Sequence, residues 1–208
     1  MTRPLGDELL GLLADTTSAF ISCPVSEIGV AVDHALAAVG RMFNVDRAYL
    51  FTFLDGHTFV TNTHEWCAPE VEPAIDDLQA MPVDVLPWWM GELYAGRCIN
   101  LTSLDDLPDC AEGERAVLQP QGIQSLLVVP IFWDHRLEGF AGFDHVRSHR
   151  IWSAEEIGSC ASSSTPSPRP SNGAAARNSS VTCTAWPTTT RSLRSRTASC
   201  SGNGSSTR

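Results

Sequence analysis

The sequence predicts an α+β domain over residues 25–158, and three observations carry that reading. Two stretches near the N-terminus repeat apolar residues at helical spacing. The strongest strand signal, Ile123 to Phe132, lies far along the chain and turns straight back into a second strand. Composition then breaks after Gly158. Residues 1–158 hold eight Arg and all 24 acidic residues, a formal charge of −16, whereas residues 159–208 hold six Arg, no acid and 22 Ser or Thr. The chain therefore divides into an N-terminal helix and lead-in (1–24), a folded domain (25–158) and a tail (159–208).

The elements follow in order. Leu9, Leu10, Leu12, Leu13 and Phe20 give a first helix over Leu5 to Phe20. Ile28, Val30, Val32, Ala35, Leu36, Val39 and Met42 give a second over Val25 to Phe43, started by Ser26 behind Pro24 and stopped at Asn44. Ala48 to Leu54 is a strand, Asp55-Gly56 a hairpin turn, and His57 to Trp66 the partner strand. Cys67 to Ala80 is acidic, Pro-punctuated and irregular. Pro87 opens a short helix that Gly96 closes. Cys98 to Leu101 is a short strand, Leu104 to Pro108 a loop, and Ala111 to Leu118 a short helix. Asp134-His135 joins the strong strand to Leu137 to Asp144, where Gly139 and Gly142 point to close packing. Ser153 and Glu156 then form a capping box for a closing helix.

Several function classes are disfavoured. No run of about 18 apolar residues crosses a membrane, and Met1 to Glu8 lacks the pattern of a secretory signal. Seven cysteines without CxxC or His/Cys ligand spacing point to a reduced, cytoplasmic chain and to no metal site. A charge of −16 on the ordered part argues against nucleic acid or anionic membranes as partners. Adjacent carboxylates such as Asp76-Asp77 or Asp105-Asp106 point to different faces and make poor acid/base pairs. No Gly-rich phosphate loop, GxSxG or HExxH is present, so no catalytic residues are assigned.

Four segments together carry a family resemblance. They are Val45-Asp46-Arg47-Ala48, then Gln121 to Ile131, then Leu137-Glu138-Gly139-Phe140-Ala141-Gly142-Phe143-Asp144, and finally Trp152-Ser153-Ala154-Glu155-Glu156. In this order, over roughly residues 25–157, the chain resembles a GAF domain. The resemblance implies a central antiparallel sheet of five or six strands with helices on both faces. N- and C-terminal helices would cover one face, and the crossing segment with the short helices would enclose a ligand pocket on the other. It also implies a non-catalytic module that binds an unidentified small molecule or passes a conformational signal to an output domain. Thr63-His64-Glu65-Trp66-Cys67 with Leu86-Pro87-Trp88-Trp89 is similar to GAF sensors that precede diguanylate cyclase domains.

The candidate pocket residues are Phe51, His64, Trp66, Trp88, Trp89 and Phe143, chosen because aromatic walls with a few polar groups suit small-molecule sites. Each aromatic also reads as plain core. No cofactor is expected. In bilin-binding GAF domains the attachment Cys is typically followed by His, whereas Ala68-Pro69 follows Cys67 here. Haem through His57 or His64 is weighed against a surface or hydrogen-bonded histidine. The cyclic-nucleotide signature needs a Lys, and the chain has none. A GAF-like methionine sulfoxide reductase would need reactive thiols, for which Cys98 and Cys110 are the candidates. A stand-alone ligand-binding protein with a genuine disordered tail is the other alternative.

The tail has two readings. Ser/Thr/Pro-rich segments stay disordered for lack of buriable surface. A frameshift gives the same appearance. Any residue followed by a TCN serine yields the shifted codon NTC, which encodes only Phe, Leu, Ile or Val. Read that way with GC-rich wobble bases, residues from Gly158 onward encode an amphipathic helix followed by YDDPLTALPNR. The Trp186 codon forces an Ala in that frame. The segment resembles the entry to diguanylate cyclase (GGDEF) domains, so the chain reads as a truncated relic of a cyclic-di-GMP signalling protein. A homodimer is then expected only for the intact parent.

Overall fold

The computed structural model describes residues 5–154 and 157–158. The notional tail, 159–208, lies outside them, as does Glu156 of the capping box. Two helices lead the chain. Helix α1 spans Leu5–Ser22, a 3-10 turn follows at Val25–Glu27, and α2 spans Ile28–Met42. Pro24 is extended, so the second helix starts as a 3-10 turn and becomes α-helical three residues later than Val25. Asn44 ends it in a left-handed conformation (φ 51°), which Asn adopts more readily than most residues.

Strands β1 (Arg47–Leu54) and β2 (Phe59–Cys67) form a hairpin, and β3 (Met81–Pro82) is a two-residue edge. Helix α3 (Pro87–Tyr94) has Pro at its first position and is followed by Gly96 at φ 73°. Then come β4 (Ile99–Leu101), a 3-10 turn at Leu104–Asp106 where the sequence suggests loop, and α4 (Glu112–Leu118). That turn is held by a capping box between Ser103 and Asp106. The long hairpin is β5 (Ser125–Trp133) and β6 (Arg136–His145). Asp134 and His135 both take positive φ in its two-residue turn, the geometry that matches strand twist.

The six strands make one antiparallel sheet in the order β3-β2-β1-β6-β5-β4. Pairing of β1 with β6 brings the first and last hairpins together at the centre. Side chains alternate between faces, and this splits the core in two. On one face Ala48, Leu127, Val129 and Phe143 pack with Leu36 of α2 and with Phe43, Val45 and Trp152. Helix α1 lies against α2, with Leu9 reaching the same core. On the other face Tyr49, Phe51, Leu126, Val128 and Phe140 pack with α3, α4 and the crossing segment.

The chain after β6 is tied down before the closing helix begins. Asp46 accepts from the backbone N–H groups of Val146 and Arg147 (2.8 and 3.0 Å) and from the Arg147 guanidinium at 2.8 Å. Burial opposes ionisation there, but these three hydrogen bonds and the Arg147 charge outweigh it and hold the carboxyl below its ordinary range. Trp152 is buried against Phe43 and Phe143, with the Arg150 guanidinium 4.4 Å over its ring. Ile157 donates its backbone N–H to the Ser153 carbonyl at 3.0 Å, which makes a helical turn.

Candidate functional site

One small cavity, about 30 Å³, sits between the sheet and its cap of α3 and α4. The sheet contributes Tyr49 and Phe51 from β1, Glu65 from β2 and Phe140 from β6. Phe51 stacks on Phe140 (centroids 4.8 Å), Tyr49 meets Phe51 edge-on, and Trp89 meets Phe140 edge-on. Tyr49 can lie across β6 because residue 142 is glycine; a Cβ there would run into the phenol ring. The cap supplies Trp89 from α3 and Glu114, Val117 and Leu118 from α4, with Gln121 and Ile123 beyond it. Leu78, Met81 and Leu86 complete the wall.

Two carboxylates line this apolar space. Glu114 is fully buried, and its Oε1 accepts the backbone N–H of Trp89 at 3.0 Å, in the first turn of α3. Its Oε2 has no hydrogen-bond partner. Trp89 Nε1 is likewise buried and unpartnered. Glu65 is half-buried, and its Oε2 accepts from the backbone N–H groups of Ala74 (2.8 Å) and Ile75 (3.1 Å). It thereby pins the crossing segment over the cavity.

Behind the aromatic wall lies a buried polar triad. The Tyr49 hydroxyl donates to Asp144 Oδ1 at 3.0 Å, and Arg47 stands 3.4 Å from Asp144 Oδ2. Burial pushes the Asp144 carboxyl up to about 7, against the pull of Arg47 and the Tyr49 hydrogen bond. Burial, with the Asp144 charge beside it, also drives the Tyr49 hydroxyl well above the usual tyrosine range. Arg47 reaches the Gln121 carbonyl at 3.5 Å, so the triad also touches the end of the cap.

Of the six residues chosen from the sequence, the structure brings Phe51 and Trp89 into the cavity wall. Trp88 is half-buried against Trp89 but is not part of that wall. His64, Trp66 and Phe143 fall on the opposite, α2-covered face. His64 Nε2 would stand 3.4 Å from a Cβ on Gly29, and its Nδ1 pairs with the Thr63 hydroxyl at 3.0 Å. The Trp66 ring lies directly on Gly40 of α2. The reason is strand periodicity: 64 and 66 share one face, so 65 takes the other, and Phe143 is an odd step from Phe140. His57, the other haem candidate, makes a 2.9 Å contact with the Leu137 carbonyl and packs on Phe53.

Glu114 carries a signal that the sequence reading missed. Residues 114, 117, 118 and 121 stand at i, i+3, i+4 and i+7, so the acid interrupts the apolar face of a short helix. Cys67 ends β2 half-buried, and burial, reinforced by the Glu65 carboxylate, pushes its thiol up to about 11. A conjugating or redox thiol needs the opposite shift.

A six-stranded antiparallel sheet with helical elements packed on both faces defines an α+β domain. Residues 27–159 match the model of the GAF domain family, and the chain belongs to that family. It is 37% identical, over 74% of its length, to the methanogenesis regulatory histidine kinase FilI of Methanothrix harundinacea (strain 6Ac). The match spans only 18% of that kinase. Among solved structures it is similar to the phycocyanobilin-bound GAF domain from a cyanobacterial phytochrome (TM-score 0.59, 18% identity, 76% of this chain and 88% of that one). The blue-light absorbing form of the Thermosynechococcus elongatus PixJ GAF domain gives TM-score 0.56 at 22% identity, covering 68% and 84%. The GAF domain of a Coxiella burnetii phosphoenolpyruvate-protein phosphotransferase gives 0.57 at 20%, covering 74% and 87%. At these identities the structural likenesses speak to the fold alone.

Proposed function

We propose that this chain is a non-catalytic sensory module that binds a small molecule in the cavity beneath α3 and α4. In this reading the signal leaves through the closing helix that begins at Ser153. The single observation that carries it is the cavity itself: four aromatic rings and a fully buried, half-partnered carboxylate around one space. A merely structural core would satisfy or omit that acid. The cavity holds about 30 Å³, enough for a water or two but far less than a tetrapyrrole. With the Cys67 thiol held protonated and His64 on the far face, purified protein is expected to show neither a bilin nor a Soret band. Ligand binding is expected to change tryptophan emission in wild type and to lose that change in Trp89→Phe. An unchanged response in that variant would place the site elsewhere.

The output is a diguanylate cyclase on the shifted-frame reading of residues 159–208, which makes the translated tail an out-of-frame product. A histidine kinase output is the second reading, favoured by the 37% identical relative. Genomic DNA decides between them. An open shifted frame running through DPLT-x-LPNR into GGDEF supports the first, and a kinase domain downstream supports the second. A stop codon in the shifted frame would remove the cyclase reading and leave a genuine tail.

A further inference from the structure

We propose that the cavity recognises a compact organic cation, an alkylammonium-type group, with Glu114 Oε2 as its hydrogen-bonding counter-charge. This rests on the cavity being the ligand site and goes further by assigning the ligand's charge. Glu114 is fully buried, and one of its oxygens already caps the first turn of α3 through Trp89 N–H at 3.0 Å. That capping accounts for Oε1 and leaves Oε2 without a donor. A buried carboxylate oxygen in this state costs free energy that an incoming N–H donor recovers. The second acid, Glu65, adds negative charge to the same wall.

No Arg, Lys or His lines the space. Arg47 is engaged with Asp144 behind Tyr49, and Arg115 with the Leu104 and Leu107 carbonyls. An anionic ligand would therefore meet two carboxylates and no compensating charge. A cation instead finds a carboxylate and the faces of Tyr49, Phe51, Trp89 and Phe140, which attract positive charge through their quadrupoles. The available volume sets the size. Met81, half-buried and unbranched, is an adaptable part of the wall, so the ligand carries a few carbons rather than a polycyclic body.

Three matched probe series test this on the 208-residue chain: methyl- to butylammonium, the corresponding neutral alcohols, and the corresponding carboxylates. Thermal shift and tryptophan emission give apparent affinities. The ammonium ions are expected to bind about tenfold or more tightly than the alcohols of equal length, as a hydrogen bond to a charged group implies. The carboxylates are expected to bind most weakly. Glu114→Gln keeps the shape and is expected to lose the ammonium preference while still binding the alcohols. The wild-type ranking stands even if that variant misfolds. Alcohols or carboxylates binding as tightly as ammonium ions would overturn the charge assignment and leave the cavity as a ligand site. No binding by any series would overturn both.

Discussion

At the scale of single residues, the most consequential choice is the burial of charge beneath the aromatic wall. Asp144, its carboxyl pushed up to about 7 by burial, binds a proton more tightly folded than unfolded. Its contribution to stability is complete below the unfolded value, near 3.8, and is lost as pH rises through about 7. His145 acts in the opposite sense: burial, then the Arg150 charge, holds it below its usual 6.5, so its contribution is lost as pH falls. The Asp46 carboxyl, held low, matters only in more acid solution. Subtracting Asp144→Asn from wild type isolates the first effect. Urea midpoints measured from pH 5 to 8 are expected to fall with pH more steeply in wild type than in the variant. Parallel pH profiles would show that Asp144 is ionised throughout, held by Arg47.

At the scale of elements, what the sequence reveals depends on the period of each element. Helices α2 and α3 and both hairpins are legible because apolar spacing and turn residues agree: Asp55-Gly56, Asp134-His135, Pro87 with Gly96. Strand β3 is not legible. Met81–Pro82 pairs only with Phe59 and Val60, too short for any alternation to register. Of the six candidate site residues Phe51 and Trp89 line the cavity, but aromatic content gives no phase, and one odd step moves a side chain to the other face. Glu65, between His64 and Trp66, is the cavity residue of that strand. Its two neighbours clamp α2 instead, and this clamp is open to measurement. A Cβ on Gly40 would run into the Trp66 ring, with Phe43 and Val45 packed just beyond. Gly40→Ala gains helix propensity of about 1 kcal/mol, yet overpacking costs typically about 1–3 kcal/mol. The melting temperature is therefore expected to drop, and Gly40→Ala combined with Trp66→Leu to recover part of the loss. A Gly40→Ala variant more stable than wild type would mean that α2 does not sit where Trp66 places it.

At the scale of the whole molecule, the proposed signal path rests on the closing helix that begins at Ser153. Its start is anchored by Trp152, and Ile157 and Leu9 both pack at the edge of the α2-side core. Leu10 and Leu13 of α1 are left 68% and 49% exposed. Beyond Gly158 the translated sequence runs Ser159-Cys160-Ala161-Ser162-Ser163-Ser164-Thr165-Pro166 and offers no large apolar side chain to continue that edge. The shifted frame begins LLRLVVDAIAKAL, with large apolar residues at helical spacing. Four or five such side chains, at roughly 1.5–3 kcal/mol each on burial, match a large part of the roughly 5–15 kcal/mol by which a typical domain is stable. The same helix, extended, would present a heptad-like seam suited to pairing with a second copy. A chain restored to the shifted frame through this helix is therefore expected to melt several degrees higher than the 208-residue chain and to run as a dimer in light scattering, where the translated chain exposes the Leu10 and Leu13 strip and tends to aggregate. Equal melting temperatures and a monomeric restored chain would mean that the helix adds nothing to the domain, and that the exposed face of α1 is its finished surface.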